Sequence, residues 1–207
     1  MNRRIGILVL FVSMTVVAAA SWAQTAGTVP AAPVDTSAAQ KEPVPEVQLK
    51  VDTAFVYCAL EMTGSYDQHA AAFEKLYEES MKQGIFGGMP FDIYWNNPEN
   101  TPVEKLKWEL GFVMPAGKIP QEPLKLKKWE FTTMATLRYT GNFDEEMGKA
   151  FGRLYQWIED RGYQPAGPMM EMFLNAPSAD ERGVYFGTVD IIVPIQKAPA
   201  EKDKSAK

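Results

Sequence analysis

The sequence contains very few of the residues from which most catalytic and metal sites are built. Its 207 residues include one cysteine, Cys58, and one histidine, His69. One cysteine cannot form a disulfide within the chain, and one histidine cannot be joined by a second in a metal site. A Ser-His-Asp or Cys-His catalytic set would also have to use His69, which we place at a helix start, exposed to solvent. We therefore expect no metal and no cofactor.

The chain also lacks an excess of positive charge. It has 21 lysines and arginines against 26 aspartates and glutamates, which gives a net charge of −5. Proteins that bind nucleic acid usually carry a basic stripe or patch, and the sequence has neither a helix-turn-helix segment nor a phosphate-binding loop. We therefore expect no nucleic-acid partner.

The one long uncharged run lies at the N-terminus. Arg3 and Arg4 precede residues 5–20, and the small residues Ser21 and Ala23 follow. This order is typical of a secretory signal peptide, so we expect cleavage after Ala23, a periplasmic or secreted protein, and no stable membrane insertion. An uncleaved anchor is the alternative, although the run is short for a membrane span. Loss of residues 1–23 removes two arginines and no acid, which takes the net charge from −5 to −7.

Composition divides the rest of the chain into three parts. Residues 24–47 are rich in alanine, proline and threonine and contain no large aromatic residue, so we interpret them as a disordered linker. Residues 196–207, rich in lysine and alanine, read as a disordered tail. Residues 48–195 are left as one folded domain.

That domain contains an internal duplication. Residues 63–67, Thr-Gly-Ser-Tyr-Asp, match residues 140–144, Thr-Gly-Asn-Phe-Asp, and residues 92–98 match residues 171–177. Each half predicts the order β-α-β-β, over about 48–117 and 127–195, with a Pro- and Lys-rich connector at 118–128. Each predicted helix has one apolar stripe. Gly84 is predicted to end the first helix and Gly162 the second.

Two such halves predict one α+β domain. We expect a single antiparallel or mixed sheet that carries both helices on one face. The opposite face would then form a concave cleft that the repeats share.

One carboxylate stands out in the second repeat. Met169, Glu171 and Phe173 share one face of a predicted strand, because side chains alternate with a period of two. An ionised carboxylate on an apolar strand is costly unless it is paired, hydrated or held for a ligand. A structural salt bridge from Glu171 to Arg138 or Arg153 is the alternative to a ligand. Asp92 is the repeat mate of Glu171, and it could simply be hydrated.

These motifs resemble a known family. The twice-repeated β-α-β-β order, the Thr-Gly-x-aromatic-Asp helix entry and the Gly-Pro-x-x-Glu-x-aromatic strand at 167–173 are similar to the GyrI-like small-molecule-binding domain, which also forms the effector-binding half of some AraC-type regulators. The resemblance covers residues 48–195. It implies a cleft between the repeats in which an acid, here Glu171, contacts cationic aromatic ligands. One further candidate ligand-binding residue is Tyr185, which is similar to a pocket tyrosine of the family. Phe173, Tyr57, Tyr94 and Trp108 are chosen by strand position, and Met169 because a flexible thioether side chain suits an adaptable pocket.

Two classes of function follow from the resemblance. The first is binding of a small lipophilic molecule, a class that includes cationic aromatic compounds, in a sensor, scavenger or sequestration role. The second is hydrolysis of strained or toxic electrophiles, with Glu171 as general base and Tyr185 as proton donor. We favour binding, because the sequence offers no catalytic set beyond these two residues. Inhibition of DNA gyrase, another role in the family, does not suit an exported chain.

Overall fold

A computed structural model describes residues 46–85, 87–143, 145–179, 181 and 184–199. The predicted signal peptide, nearly all of the predicted linker and most of the predicted tail lie outside these residues. Within them, no helix combines the length and the apolar character that crossing a bilayer would require.

The described residues form two helices and ten strands, and they confirm the predicted α+β fold class. The first repeat comprises β2, α1, β3 and β4, and the second comprises β6, α2, β8 and β10, so each has the order β-α-β-β. The helices are α1 (His69–Lys82) and α2 (Glu145–Asp160). The strands are β1 (Gln48–Val51), β2 (Phe55–Thr63), β3 (Pro90–Tyr94), β4 (Lys107–Val113), β5 (Leu124–Trp129), β6 (Thr133–Asn142), β7 (Tyr163–Pro165), β8 (Met169–Phe173), β9 (Ser178–Ala179) and β10 (Tyr185–Lys197).

All ten strands belong to one antiparallel sheet. Its order is β1-β6-β10-β8-β3-β4-β2-β5, and β7 and β9 also pair with β10. Strands β3 and β8 meet at its centre, and the strands β4-β2 on one side correspond to β10-β6 on the other. This arrangement makes the β3–β8 seam the boundary between the two repeats.

Both helices pack on one face of the sheet, which we call the helix face. Ala72 and Leu76 of α1 share a core with strands of the first repeat, and Ala150, Leu154 and Ile158 of α2 share a core with strands of the second. These apolar positions are spaced as expected for one face of a helix. Each repeat therefore covers its own half of the sheet with its own helix.

The opposite face, which we call the concave face, has a third core of its own. Trp129 near one end of the strand order and Met134 near the other belong to it. Only residues 130–132 separate β5 from β6, and four residue steps span at most about 14 Å. The sheet therefore curls until its two ends approach each other, although it remains open.

One segment departs from the prediction. Residues 124–128 were expected to lie in a connector, but they belong to β5 at the edge of the sheet. Lysines are frequent on edge strands because their charge discourages pairing with other chains. The Lys-rich composition that suggested a connector is therefore equally typical of this strand.

Candidate ligand site at the seam between the repeats

Two carboxylates lie side by side where the repeats meet. Asp92 on β3 is the register partner of Glu171 on β8. Paired residues on neighbouring antiparallel strands have Cβ atoms about 4.5–5.5 Å apart and point to the same face. Met170 and Met172, the neighbours of Glu171, belong to the concave-face core or pack against it, so both acids point to the helix face. The duplication has placed equivalent acids next to each other.

Both carboxylates are removed from solvent. Asp92 is 0 % exposed and Glu171 is 9 % exposed. Burial, followed by the negative charge of Asp92, raises the pKa of Glu171 to about 8, against a smaller opposing effect of His69 and Tyr94. A carboxyl with this pKa is mostly protonated at pH 7. The Oδ1 atom of Asp92 is buried and finds no hydrogen-bond partner among the described residues.

His69 supplies the positive charge beside Asp92. Its Nε2 lies 2.9 Å from Oδ2 of Asp92. The ring is stacked on Trp108 at 5.3 Å and meets the edge of Phe73 at 5.1 Å. Burial, the largest single effect, lowers the pKa of His69, but the charge and hydrogen bond of Asp92 together with the charge of Glu171 outweigh it, so the net shift is upward. His69 and Asp92 therefore form a buried ion pair.

His69 was expected at a helix start, exposed to solvent. It is the first residue of α1, but its side chain is only 14 % exposed. The first turn of α1 lies against the sheet, where Trp108 of β4 offers the imidazole a flat surface. The alternative that Asp92 is hydrated does not hold, because His69 covers its carboxylate and the residue is 0 % exposed.

Tyr94 lies among the three ionisable side chains of His69, Asp92 and Glu171. Its hydroxyl lies 3.5 Å from Nε2 of His69, Oδ2 of Asp92 and Oε2 of Glu171, which is long for a hydrogen bond in each case. Burial and the two carboxylates raise the pKa of Tyr94 well above its usual value, so the phenol remains neutral. We refer to His69, Asp92, Tyr94 and Glu171 as the acidic cluster.

Aromatic side chains surround the acidic cluster. Tyr66 meets Tyr94 edge to face at 5.1 Å and meets Trp108 in the same way at 5.8 Å. On the β8 side, Phe73 and Phe173 are 6.0 Å apart. Aromatic faces attract cations, and the attraction strengthens when water is excluded. The surroundings therefore favour a cation over an anion at this position.

The structure brings together most of the residues chosen from the sequence. Glu171, Tyr94 and Trp108 lie at or beside the acidic cluster, Phe173 flanks it, and Met169 lies on the same face against the core of the second repeat. The alternative of a structural salt bridge finds no support within the described residues. Arg138 instead makes a bidentate ion pair with Asp190, and in the described part of the chain no ion pair joins Glu171 to it or to Arg153.

Two chosen residues lie elsewhere. Tyr57 is on the concave face, where its hydroxyl donates to Oε2 of Glu109 at 2.9 Å. Tyr185 lies six residues along β10 from Ile191, the register partner of Glu171. At about 3.3 Å per residue, that separation is roughly 20 Å along the strand. His69 was not among the residues predicted for the site, and Asp92 was ranked below Glu171 although the repeat match made the two equivalent.

The acidic cluster also lies on a different face of the sheet from the one predicted for the cleft. The shared cleft was predicted opposite the helices, whereas the acidic cluster lies on the helix face. A separate groove of about 330 Å³ does lie on the concave face, with Trp129, Met134 and Ile192 among its lining residues. Its charged lining includes the ion pair of Arg138 with Asp190. The two faces of β8 thus lie beside two separate sets of charged groups, the acidic cluster on the helix face and the Arg138–Asp190 pair on the concave face.

Similarity to known proteins extends over most of the chain. The model of the family described as GyrI-like small molecule binding domain matches residues 35–196. DNA gyrase inhibitor 2 of Dickeya dadantii (strain 3937) is 29 % identical over 127 residues, which cover 58 % of this chain and 78 % of that protein.

Two groups of solved structures share the fold. The crystal structure of the EcmrR C-terminal domain has a TM-score of 0.62 at 15 % identity and covers 75 % of this chain and 100 % of that one. In the cryo-EM structure of an EcmrR–DNA complex the match spans 59 % of the EcmrR chain. An uncharacterized conserved protein from Listeria innocua has a TM-score of 0.58 at 13 % identity, with coverages of 75 % and 94 %.

Proposed function

The chain belongs to the GyrI-like small molecule binding domain family, and on that premise we propose that it binds a small lipophilic cation at the acidic cluster. The observation that carries the proposal is that two buried carboxylates have a single basic side chain between them. Asp92 and Glu171 are neighbours in register, and His69 is the one basic side chain that lies against them among the described residues.

A cation would complete the charge balance of this cluster. The ion pair of His69 with Asp92 is internally neutral, which leaves Glu171 without a counterion. An ionised carboxylate in a largely dry site costs free energy unless it is paired. A ligand cation held by Glu171 supplies that pair, and the rings of Tyr66, Trp108 and Phe173 add cation–π attraction and apolar contact.

The test compares ligands of one shape and different charge. We expect tetraphenylphosphonium to bind the purified domain in titration calorimetry, and tetraphenylborate, an anion of the same shape, not to bind. At pH 8, Glu171→Gln should weaken cation binding by about tenfold to a hundredfold, because a charge-assisted contact contributes about 1.5–3 kcal/mol.

A matched control distinguishes the two faces of the sheet. Asp190→Asn removes an acid from the concave groove on the neighbouring strand, and it should leave the affinity within twofold. If Asp190→Asn weakens binding and Glu171→Gln does not, the cation occupies the concave groove and the proposed site is wrong.

One observation favours hydrolysis as a second candidate function. The pKa of Glu171 is about 8, and a carboxyl that titrates near neutral pH suits general acid–base chemistry. In this role Glu171 accepts a proton from a water that attacks a strained electrophile. Incubation with a cyclopropane-bearing electrophile, followed by mass spectrometry, separates the candidates. Repeated turnover that Glu171→Gln abolishes supports hydrolysis, and unchanged compound supports binding alone.

We also propose that binding takes place outside the cytoplasm, as a sensing, scavenging or sequestration step. The support is the signal-peptide pattern of residues 1–23. The Dickeya relative is named for inhibition of DNA gyrase, and an exported chain would not meet that enzyme. Mass spectrometry of a periplasmic extract should find a chain that begins at Gln24, and the mature protein should not inhibit gyrase supercoiling. An intact chain from Met1 would contradict cleavage.

A further inference from the structure

The acidic cluster has one more acid than it has bases. Asp92 and Glu171 are register partners, and the imidazole of His69 lies 2.9 Å from Asp92. Both acids are at least nine-tenths buried. Two adjacent carboxylates of this kind cannot both ionise cheaply with one base between them. The second negative charge must be cancelled by a proton or by an added cation.

The side chains that lie beside Glu171 on the neighbouring elements do not supply it with a counterion. The hydroxyl of Tyr94 lies 3.5 Å from Oε2 of Glu171 on the β3 side, and the half-buried phenol of Tyr66, whose hydroxyl donates to the carbonyl of Asn96, is a second neutral group. On the β10 side the register partner is the apolar Ile191. Within the helices, Phe73 of α1 matches Phe151 of α2, so the repeat mate of His69 is Met147, which carries no charge. Among the side chains that the structure describes on these elements, no additional base is found beside Glu171.

We propose that the site exchanges a proton for its ligand, so that the proton carried by Glu171 in the empty site leaves when a permanent cation binds beside it. This inference rests on the proposed cation site and adds its coupling to pH. The cation takes the place of the proton as the partner of Glu171, while the ion pair of His69 with Asp92 stays in place. The buried cluster with its contents is neutral before and after the exchange.

The coupling makes affinity depend on pH in a defined direction. Only molecules with Glu171 ionised can bind the cation. The apparent association constant therefore equals the intrinsic constant multiplied by the fraction of molecules in that form. With the pKa of Glu171 at about 8, that fraction is about one hundredth at pH 6 and about one half at pH 8. The association constant should therefore rise about fiftyfold from pH 6 to pH 8 and then level off.

Titration calorimetry with tetraphenylphosphonium, a cation with no titratable group, measures this exchange. The titration is run in pairs of buffers that differ in ionisation enthalpy, at pH 6, 7, 8 and 9. We expect release of about 0.9 proton per cation at pH 7 and about 0.1 at pH 9. Glu171→Gln resembles the protonated side chain, so it should fold normally, bind weakly at every pH and release no proton.

The outcomes separate this inference from the proposed function. Tight binding to the wild type without proton release, weakened by Glu171→Gln, overturns proton exchange and leaves the cation site standing. Release that persists in Glu171→Gln assigns the proton to His69 and also overturns the inference. If the cation does not bind, or if Glu171→Gln binds it as tightly as the wild type at pH 9, the proposed site itself fails.

Discussion

Replacing Glu171 with glutamine should stabilise the ligand-free protein, and the gain should grow as the pH rises. Burial, followed by the charge of Asp92, raises the pKa of Glu171 from 4.5 to about 8. A carboxyl with a higher pKa in the folded chain than in the unfolded chain binds more protons when folded. The stability of the wild type therefore falls as the pH rises from about 4.5 to about 8. Glutamine does not titrate, so the variant lacks this loss.

The size of the effect follows from the two pKa values. One pKa unit corresponds to about 1.36 kcal/mol. Most of the change in unfolding free energy that follows from the difference between 4.5 and about 8 takes place between pH 5 and pH 8. The free energy of unfolding should fall by about 3 kcal/mol over this range through Glu171 alone. The side chain is only 9 % exposed, so little of this is lost to screening by solvent.

Urea unfolding of both proteins at pH 5, 6, 7 and 8 measures the difference directly. Subtraction of the two profiles cancels titrating groups that the proteins share. We expect nearly equal stabilities at pH 5 and an advantage of about 3 kcal/mol for the variant at pH 8. Parallel profiles would show that Glu171 is ionised in the folded protein, and the interpretation of the cluster would then be wrong.

Three further variants test other parts of the structure. His69→Phe keeps a ring on Trp108 but leaves Asp92 unpaired, so urea unfolding at pH 6 should show a loss of about 3 kcal/mol, which Asp92→Asn should partly restore. The ion pair stabilises fully below the unfolded pKa of His69, and its contribution is lost as the pH rises through the raised folded value. Tyr57→Phe should cost about 1 kcal/mol in urea unfolding, through its bond to Glu109, and leave cation affinity within twofold. Gly84→Ala should cost about 1–2 kcal/mol and lower Tm, because Gly84 has a φ of 61°.

The repeat and its helices could be predicted because their signals are local. Gly84 and Gly162, predicted to end the two helices, have positive φ angles of 61° and 69°. Because the two halves share matching sequence blocks, the same helices and strands could be predicted in each half without knowledge of the tertiary contacts. Glu171 was also recognisable as unusual, because it is an acid placed between methionines on an apolar strand. These inferences depend on residues within one strand or one helical turn.

The geometry of the site depends on contacts that no local pattern specifies. Both faces of β8 are apolar, so alternation could not decide whether Glu171 faces the helices or the concave groove. His69 gave no signal of burial, because its partner Asp92 lies more than twenty residues away in sequence and on another element. The distance of Tyr185 from Glu171 depends on the register of β10, which the sequence does not state.

The duplication itself explains why the cluster holds one acid too many. Asp92 and Glu171 occupy equivalent places in the two repeats, and pairing of β3 with β8 brings them together at the seam. The base is not duplicated. Phe73 matches Phe151 in the repeat, so the residue equivalent to His69 is Met147, which is 7 % exposed in the core beneath α2. The first repeat neutralises its own acid, and the second leaves its acid for another partner.

Met147→His should therefore supply the missing base and close the site to cations. By the symmetry of the repeats, a histidine at 147 reaches toward Glu171 as His69 reaches Asp92. An internal ion pair would lower the pKa of Glu171, and a ligand cation would then meet an already neutral cluster. We expect tetraphenylphosphonium affinity to fall at least tenfold at pH 7 in titration calorimetry, while Met147→Leu, which changes the core without adding charge, stays within about twofold. If the histidine variant folds with the thermal stability of the leucine variant and still binds the cation as tightly as the wild type, the missing base does not explain why Glu171 is available.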